Sequence, residues 1–237
     1  MDFEAFGAWH LLTVLTVAAA IAAMCRTGRV LQGTARGRRF EVALSAAVWA
    51  LWVSYQVYDF AQYGFNRRET LPLQMCDFVA VFAALVFVRP TRRLQSLAYF
   101  WGLALSTQAL ITPDLAGGPS SLAFWWFWLY HLFVIGAGVY VIAVQGFRPE
   151  WPDLRFALLM GVAYATAMFT INALFDLNYG YLGRATPTVP TLLDVLGPYP
   201  LRCVFMVLLG AAAMTALWLP WLLARKYREG DPAVQVP

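Results

Sequence analysis

The stretch from Leu71 to Ile111, LPLQMCDFVAVFAALVFVRPTRRLQSLAYFWGLALSTQALI, decides the architecture. It holds two apolar runs, 71–88 and 92–111, parted only by Arg89-Pro90-Thr91. At about 1.5 Å per residue, each run is long enough to cross roughly 30 Å of hydrocarbon as a helix. Proline breaks a helix interior, and the flanking arginines shun hydrocarbon. The pattern predicts a tight hairpin between two membrane-spanning helices.

Outward from this hairpin the same reading recurs. Further apolar runs cover about 8–25, 41–62, 122–145, 155–177 and 201–224. The 237 residues are 61% hydrophobic, 16% aromatic and only 13% charged, with mean hydropathy +0.61. Soluble domains average about 45–50% apolar and about 25% charged. The difference excludes disorder, a coiled coil and a nucleic-acid-binding domain, and it argues against a soluble enzyme. Lipid cannot satisfy open backbone groups, and no alternating pattern suggests a barrel, so the spans must be helices. The expected fold is an all-α membrane protein, residues 1–237 forming one seven-helix transmembrane domain.

Charge sets the expected orientation. Arg26, Arg29, Arg36, Arg38 and Arg39 follow the first span; Arg89, Arg92 and Arg93 lie at the third–fourth turn. Arg148 and Arg155 follow the fifth span, and Arg225, Lys226 and Arg228 follow the seventh. The opposite side carries only Arg67, Arg68, Arg184 and Arg202. The positive-inside rule then puts the N-terminus outside and the C-terminus in the cytoplasm. The first residues carry Asp2 and Glu4 but no basic n-region, so the first run is expected to be a retained span, not a signal peptide. The alanine-rich, arginine-rich composition suggests a GC-rich bacterial genome, hence a multi-pass protein of the bacterial cytoplasmic (inner) membrane. The outer loops are rich in proline and glycine. The longer, Asn178 to Pro200, holds Pro187, Pro190 and Pro198 and suits a lid or binding surface as well as a plain connector.

With that orientation the polar residues gather in the outer halves of the spans. They are His10, Gln56 and Asp59, Gln74, Cys76 and Asp77, Thr107 and Gln108, His131, Asn172 and Asp176, and Arg202. Polar groups in a membrane usually face a bundle interior or wet cavity, so an outward-opening polar chamber is expected. A plainer reading places several of them at helix ends near the headgroups. That reading is weakest for His131, about nine residues and roughly 14 Å inside its span.

Cys76 is the natural partner of His131. Pro72 suits the first turn of its helix, which sets the thiol near the positive end of the dipole; the dipole favours the thiolate and apolar burial opposes it. A cysteine beside a neutral histidine is an activated nucleophile. Cys25 and Cys203 read as packing, and without a CxxC pair neither a disulfide framework nor a zinc site is indicated. Asn172 and Asp176, at i and i+4, offer an orienting group for the imidazole. Gln74, Asn178 or backbone amides offer oxyanion donors, and Asp77 is a further supporting residue. Phe124-Trp125-Trp126-Phe127-Trp128 with Tyr130 reads most simply as an interfacial belt and, alternatively, as the lining of an acyl groove.

Around these residues the chain resembles a known family. Leu71-Pro72-Leu73-Gln74-Met75-Cys76-Asp77, the membrane Tyr130-His131, Asn178-Tyr179-Gly180-Tyr181-Leu182 and Leu196-Gly197-Pro198-Tyr199-Pro200 are similar to YwaF-type bacterial integral membrane proteins. These group with eukaryotic intramembrane acyltransferases of the transmembrane protein 164 type. The resemblance spans nearly the whole chain. It implies a Cys/His pair, on Cys76 and His131, acting on phospholipid acyl chains in lipid remodelling. Where the family pattern commonly has His, this chain has Gln74, which hydrogen-bonds but cannot relay a proton. The expected activity is acyl transfer or acyl hydrolysis through a thioester on Cys76, with membrane phospholipids and lysolipids as partners and with no cofactor, metal or nucleic acid. The alternative is a small-molecule transporter or a non-catalytic membrane binding protein using the same chamber. A retinal photoreceptor is excluded, because the single lysine, Lys226, lies beyond the last span.

Overall fold

A computed structural model describes residues 3–68, 70–115, 117–185 and 192–229; Asp2, Pro187 and Pro190 and the side chains of Lys226 and Arg228 lie outside the described residues. The described chain is helical, without a strand. Five helices are long and apolar enough to cross a membrane: α1 (Ala8–Leu31), α2 (Ala35–Tyr63), α6 (Leu122–Ala143), α7 (Trp151–Phe175) and α8 (Leu201–Glu229, apolar through Arg225). Between α2 and α6 lie α3 (Met75–Val88), α4 (Arg92–Phe100), a π-helical turn at Trp101–Leu105 and the short α5 (Gln108–Ile111).

The hairpin at Arg89-Pro90-Thr91 is present. Thr91 caps α4 through its hydroxyl, which accepts from the Leu94 N–H at 3.4 Å, and Arg38 Nη1 donates to the Val88 carbonyl at the end of α3 at 2.8 Å. Both arms differ from the expected spans. α3 has 14 residues, about 21 Å of helix, and starts after Leu71, Pro72 and Leu73, so Pro72 is not in its first turn. The run 92–111 is not one helix: it passes from α4 into the π turn, breaks at Ser106-Thr107 and resumes as α5. The Ser106 N–H closes an i→i+5 bond to the Trp101 carbonyl at 3.1 Å, the mark of a π insertion.

The short arms are the centre of the bundle. α3 packs against α2, α4 and α6, and its Val79, Ala80, Ala83, Ala84, Val86 and Phe87 are shut away from the surface. Small residues allow the approach: a Cβ on Gly102 would meet the Val134 carbonyl oxygen at 2.8 Å, and one on Gly138 the Ala98 carbonyl oxygen at 2.8 Å. Close backbone approach through small residues is the usual mode of helix packing in lipid. α7 lies against α4, while α8 packs on α7 and the π turn and leaves most of its surface exposed. At the start of α7, the Asp153 carboxylate accepts from the Glu150 N–H at 2.8 Å and pairs with Arg92 of α4, at 2.9 Å from Nε and 2.7 Å from Nη2.

Candidate functional site

Cys76 is the second residue of α3, so it sits in the first turn, where the helix leaves backbone N–H groups without helical acceptors. Its Sγ lies 3.6 Å from His131 Nε2. The other ring nitrogen identifies the tautomer: Nδ1 is 2.8 Å from the Phe127 carbonyl oxygen, which can only accept. Nδ1 therefore carries the proton, and Nε2 presents a lone pair to the thiol. A second polar neighbour is Ser106, whose Oγ stands 3.8 Å from Sγ and donates to the Trp101 carbonyl at 3.3 Å. Three distant segments thus meet at one sulfur.

Ser106 escaped the sequence reading. It is fully buried, yet in the linear pattern it is one hydroxyl in an apolar run beside Thr107 and Gln108. The extra residue of the π turn rotates the downstream residues by about 100°, which a 3.6-residue period does not anticipate.

Asp77 supports the site from behind. One carboxylate oxygen accepts from the Gln74 N–H at 3.0 Å, fixing the start of α3; the other accepts from the Tyr130 hydroxyl at 3.1 Å, which also lies 3.1 Å from the Cys76 carbonyl. Gln74 is held by its Oε1, which accepts from the Gly180 N–H at 2.9 Å, and this leaves its amide hydrogens for other acceptors.

These residues border a cavity of about 1090 Å³, larger than the usual small-molecule pocket of about 300–1,000 Å³. Gln74, Cys76, Asp77, Thr107, Gln108 and His131 all line it. Its only charged lining side chains among the described residues are Asp77 and Asp114. The Tyr181 hydroxyl donates to Asp114 Oδ2 at 3.0 Å; burial first, and then the adjoining carboxylate, raise the Tyr181 phenol above its ordinary pKa. Gly180 and Tyr181 both hold left-handed backbone, with φ of 63° and 57°. For Tyr181 that is a strained conformation, and such strain concentrates at functional sites.

Other expected members of the chamber are elsewhere. Asn172 does not orient His131: its amide donates to the Tyr179 carbonyl at 2.8 Å and its Oδ1 accepts from the Tyr179 N–H at 3.0 Å. It closes the turn that carries Gly180 and Tyr181. Asp176 is the exposed left-handed cap of α7 and pairs with Arg68. Asn178 does not line the cavity; its Oδ1 accepts from the Gly183 N–H at 3.0 Å. His10 accepts from the Phe6 N–H at 2.7 Å and donates to the Leu110 carbonyl at 2.6 Å. Arg202 is buried against the carbonyls of Gly183 and Ala185. Expected depth did not place these residues in one chamber, because helix rotation decides what a residue faces. The aromatic run divides likewise. Trp128 is buried, Trp125 is exposed, and Phe124, Trp126, Phe127 and Tyr130 border the cavity. Cys25 and Cys203 are buried free thiols, as expected of packing residues.

The fold and site define a multi-pass helical membrane protein with a cysteine–histidine pair at the edge of a large internal cavity. A model of the TMEM164 family matches residues 5–218, and the chain belongs to that family. No curated protein and no solved structure matches the chain.

Proposed function

We propose that the protein is an intramembrane thiol acyltransferase, or acyl hydrolase, that works through a thioester on Cys76. The observation that carries the reading is the 3.6 Å approach of the Cys76 thiol to the unprotonated nitrogen of His131. In apo geometry such contacts tighten only once substrate is bound. His131 Nε2 takes the thiol proton, and the thiolate attacks a phospholipid ester carbonyl. The tetrahedral oxyanion draws on first-turn amides of α3 and the free amide hydrogens of Gln74. Collapse breaks the ester C–O bond, and the departing alkoxide takes the proton from the imidazolium and leaves as a lysolipid. A second hydroxyl, from another lysolipid or from water, then gives its proton to Nε2 and attacks the thioester. The acyl group leaves as ester or free acid, and the proton returns to sulfur. One hard substitution becomes two easier ones.

In this reading the chain crosses the membrane seven times. α3 and the broken α4–α5 arm serve as the third and fourth passes, buried by their neighbours, a setting in which irregular backbone is tolerated at membrane depth. The N-terminus is outside, the arginine-rich turns face the cytoplasm, and the membrane is the bacterial inner membrane.

The test is intact-mass and peptide mass spectrometry of the purified protein in phospholipid vesicles. The expected result is a hydroxylamine-sensitive acyl group on Cys76 and release of lysolipid, both lost in Cys76→Ala. Unchanged lysolipid release in Cys76→Ala overturns the proposal.

A further inference from the structure

The cavity is not used up by the thiol chemistry. Beyond Cys76 it continues as an apolar limb between α7 and α8, with Leu158, Gly161 and Ala165 on one wall and Met206, Gly210 and Met214 on the other. Along α8 it runs from Met206 to Leu217, about 16 Å at 1.5 Å per residue. One leaflet's share of the hydrocarbon is about 15 Å, so the limb has the length of a single acyl layer.

Small residues form part of both walls, Gly161 and Ala165 on α7 and Gly210 and Ala213 on α8. A Cβ on Gly161 would already touch Met214 Cε at 3.6 Å and Trp101 Nε1 at 3.9 Å, so a larger side chain there must crowd the limb. The Trp101 indole behind it is itself fixed, donating to the Ala157 carbonyl at 3.1 Å. On α8 the lining ends at Leu217. Beyond Leu217 the Tyr99 hydroxyl donates to the Leu217 carbonyl at 3.0 Å and accepts from Trp221 Nε1 at 3.0 Å, tying α4 to α8. An apolar limb that runs from the nucleophile-bearing polar end of the cavity to the Tyr99–Trp221 pair fits an amphiphile anchored by its polar end.

We propose that this limb binds one acyl chain of a bilayer lipid, and that Gly161 together with the Tyr99–Trp221 pair limits the length of chain admitted. The inference deepens the thioester reading by placing the chain of the acyl group that Cys76 receives. Short chains leave part of the limb empty and lose apolar contact; chains longer than the limb run into Tyr99 and Trp221.

The experiment uses the full chain in phosphatidylcholine vesicles doped with a phosphatidylcholine that carries a photoactivatable diazirine at the end of one acyl chain. The expected result, read residue by residue by tandem mass spectrometry, is cross-linking at Leu158, Ala165, Met206 and Met214, competed away by unlabelled lipid. Leu159 and Leu208, which are exposed on the outer faces of the same helices, take a non-competable label from surrounding lipid and serve as the internal reference. Gly161→Leu fills the limb and is expected to cut the competable label about tenfold or more, the scale of a poor fit in an apolar pocket. Ala213→Phe, on the α8 wall, does the same and guards against misfolding of the first variant. Label confined to the lipid-facing positions, or competable label unchanged in both variants, overturns the acyl limb. The readout does not need turnover. Competable cross-links with no acyl group ever found on Cys76 uphold the limb and remove the thiol chemistry; an acylated Cys76 whose chain cross-links elsewhere removes the limb alone.

Discussion

At the residue scale, the proposed chemistry rests on three side chains that no single helix carries. His131 holds its proton on Nδ1 through the Phe127 carbonyl, and this turns the basic nitrogen toward the Cys76 sulfur. A backbone carbonyl fills the place that an acid or amide fills in a triad. His131→Gln keeps a polar side chain but removes the proton acceptor. The expected outcome is a fall of about 10²–10⁴ in the acylation rate of Cys76, read by time-resolved mass spectrometry, with thermal stability little changed. Ser106→Ala tests the third member. The hydroxyl contributes about 0.5–1.5 kcal/mol as a buried hydrogen bond. Its loss is expected to alter the rate of Cys76 alkylation by a membrane-permeant maleimide while leaving Cys25 and Cys203 as slow as before. Equal alkylation of Cys76 in variant and parent counts against Ser106 as a partner of the thiol.

At the element scale, the π turn and the start of α3 act together. The turn brings Ser106 to the sulfur, and Gly102 lets the turn lie against the Val134 carbonyl. Gly102→Val is expected to cost about 1–3 kcal/mol through overpacking, seen as a lower unfolding temperature in detergent. It also shifts Ser106, so Cys76 reactivity changes with it. The turn after α7 depends on Asn172, whose side chain holds both the N–H and the C=O of Tyr179. Tyr179 in turn donates its hydroxyl to the Arg67 carbonyl at 2.9 Å and accepts from the Leu71 N–H at 3.1 Å. Asn172→Ala is expected to lose about 1–3 kcal/mol and to expose the 178–185 loop to limited proteolysis. An unaltered cleavage pattern removes the linchpin role of Asn172.

At the scale of the whole molecule, the arginines and the apolar runs carry the proposed topology. Reporter fusions after Leu31 and Val144 are expected to score cytoplasmic, and fusions near Asn66 and Gly118 outside. A fusion after Val144 that scores outside reverses the orientation and moves the Cys76 site to the other leaflet. The Arg92–Asp153 pair belongs to this scale because it joins the hairpin to α7. With Asp153 buried and doubly bonded by Arg92, Asp153→Ala is expected to cost about 2–4 kcal/mol, measured as loss of thermal stability.

Helical class, hairpin and long spans were legible because hydropathy and length are local properties: lipid demands satisfied backbone and a set number of apolar residues, and both can be read along the chain. Cys76 and His131 were legible for a related reason, as polar atoms that hydrocarbon penalises unless they have work or partners. What only the tertiary structure decided was which of those atoms meet. Asn172, Asp176, Asn178, His10 and Arg202 pair elsewhere, and Ser106 joins the site through a π turn. Contact depends on helix rotation and on close approach at Gly102 and Gly138, and these are fixed by packing among segments far apart in sequence.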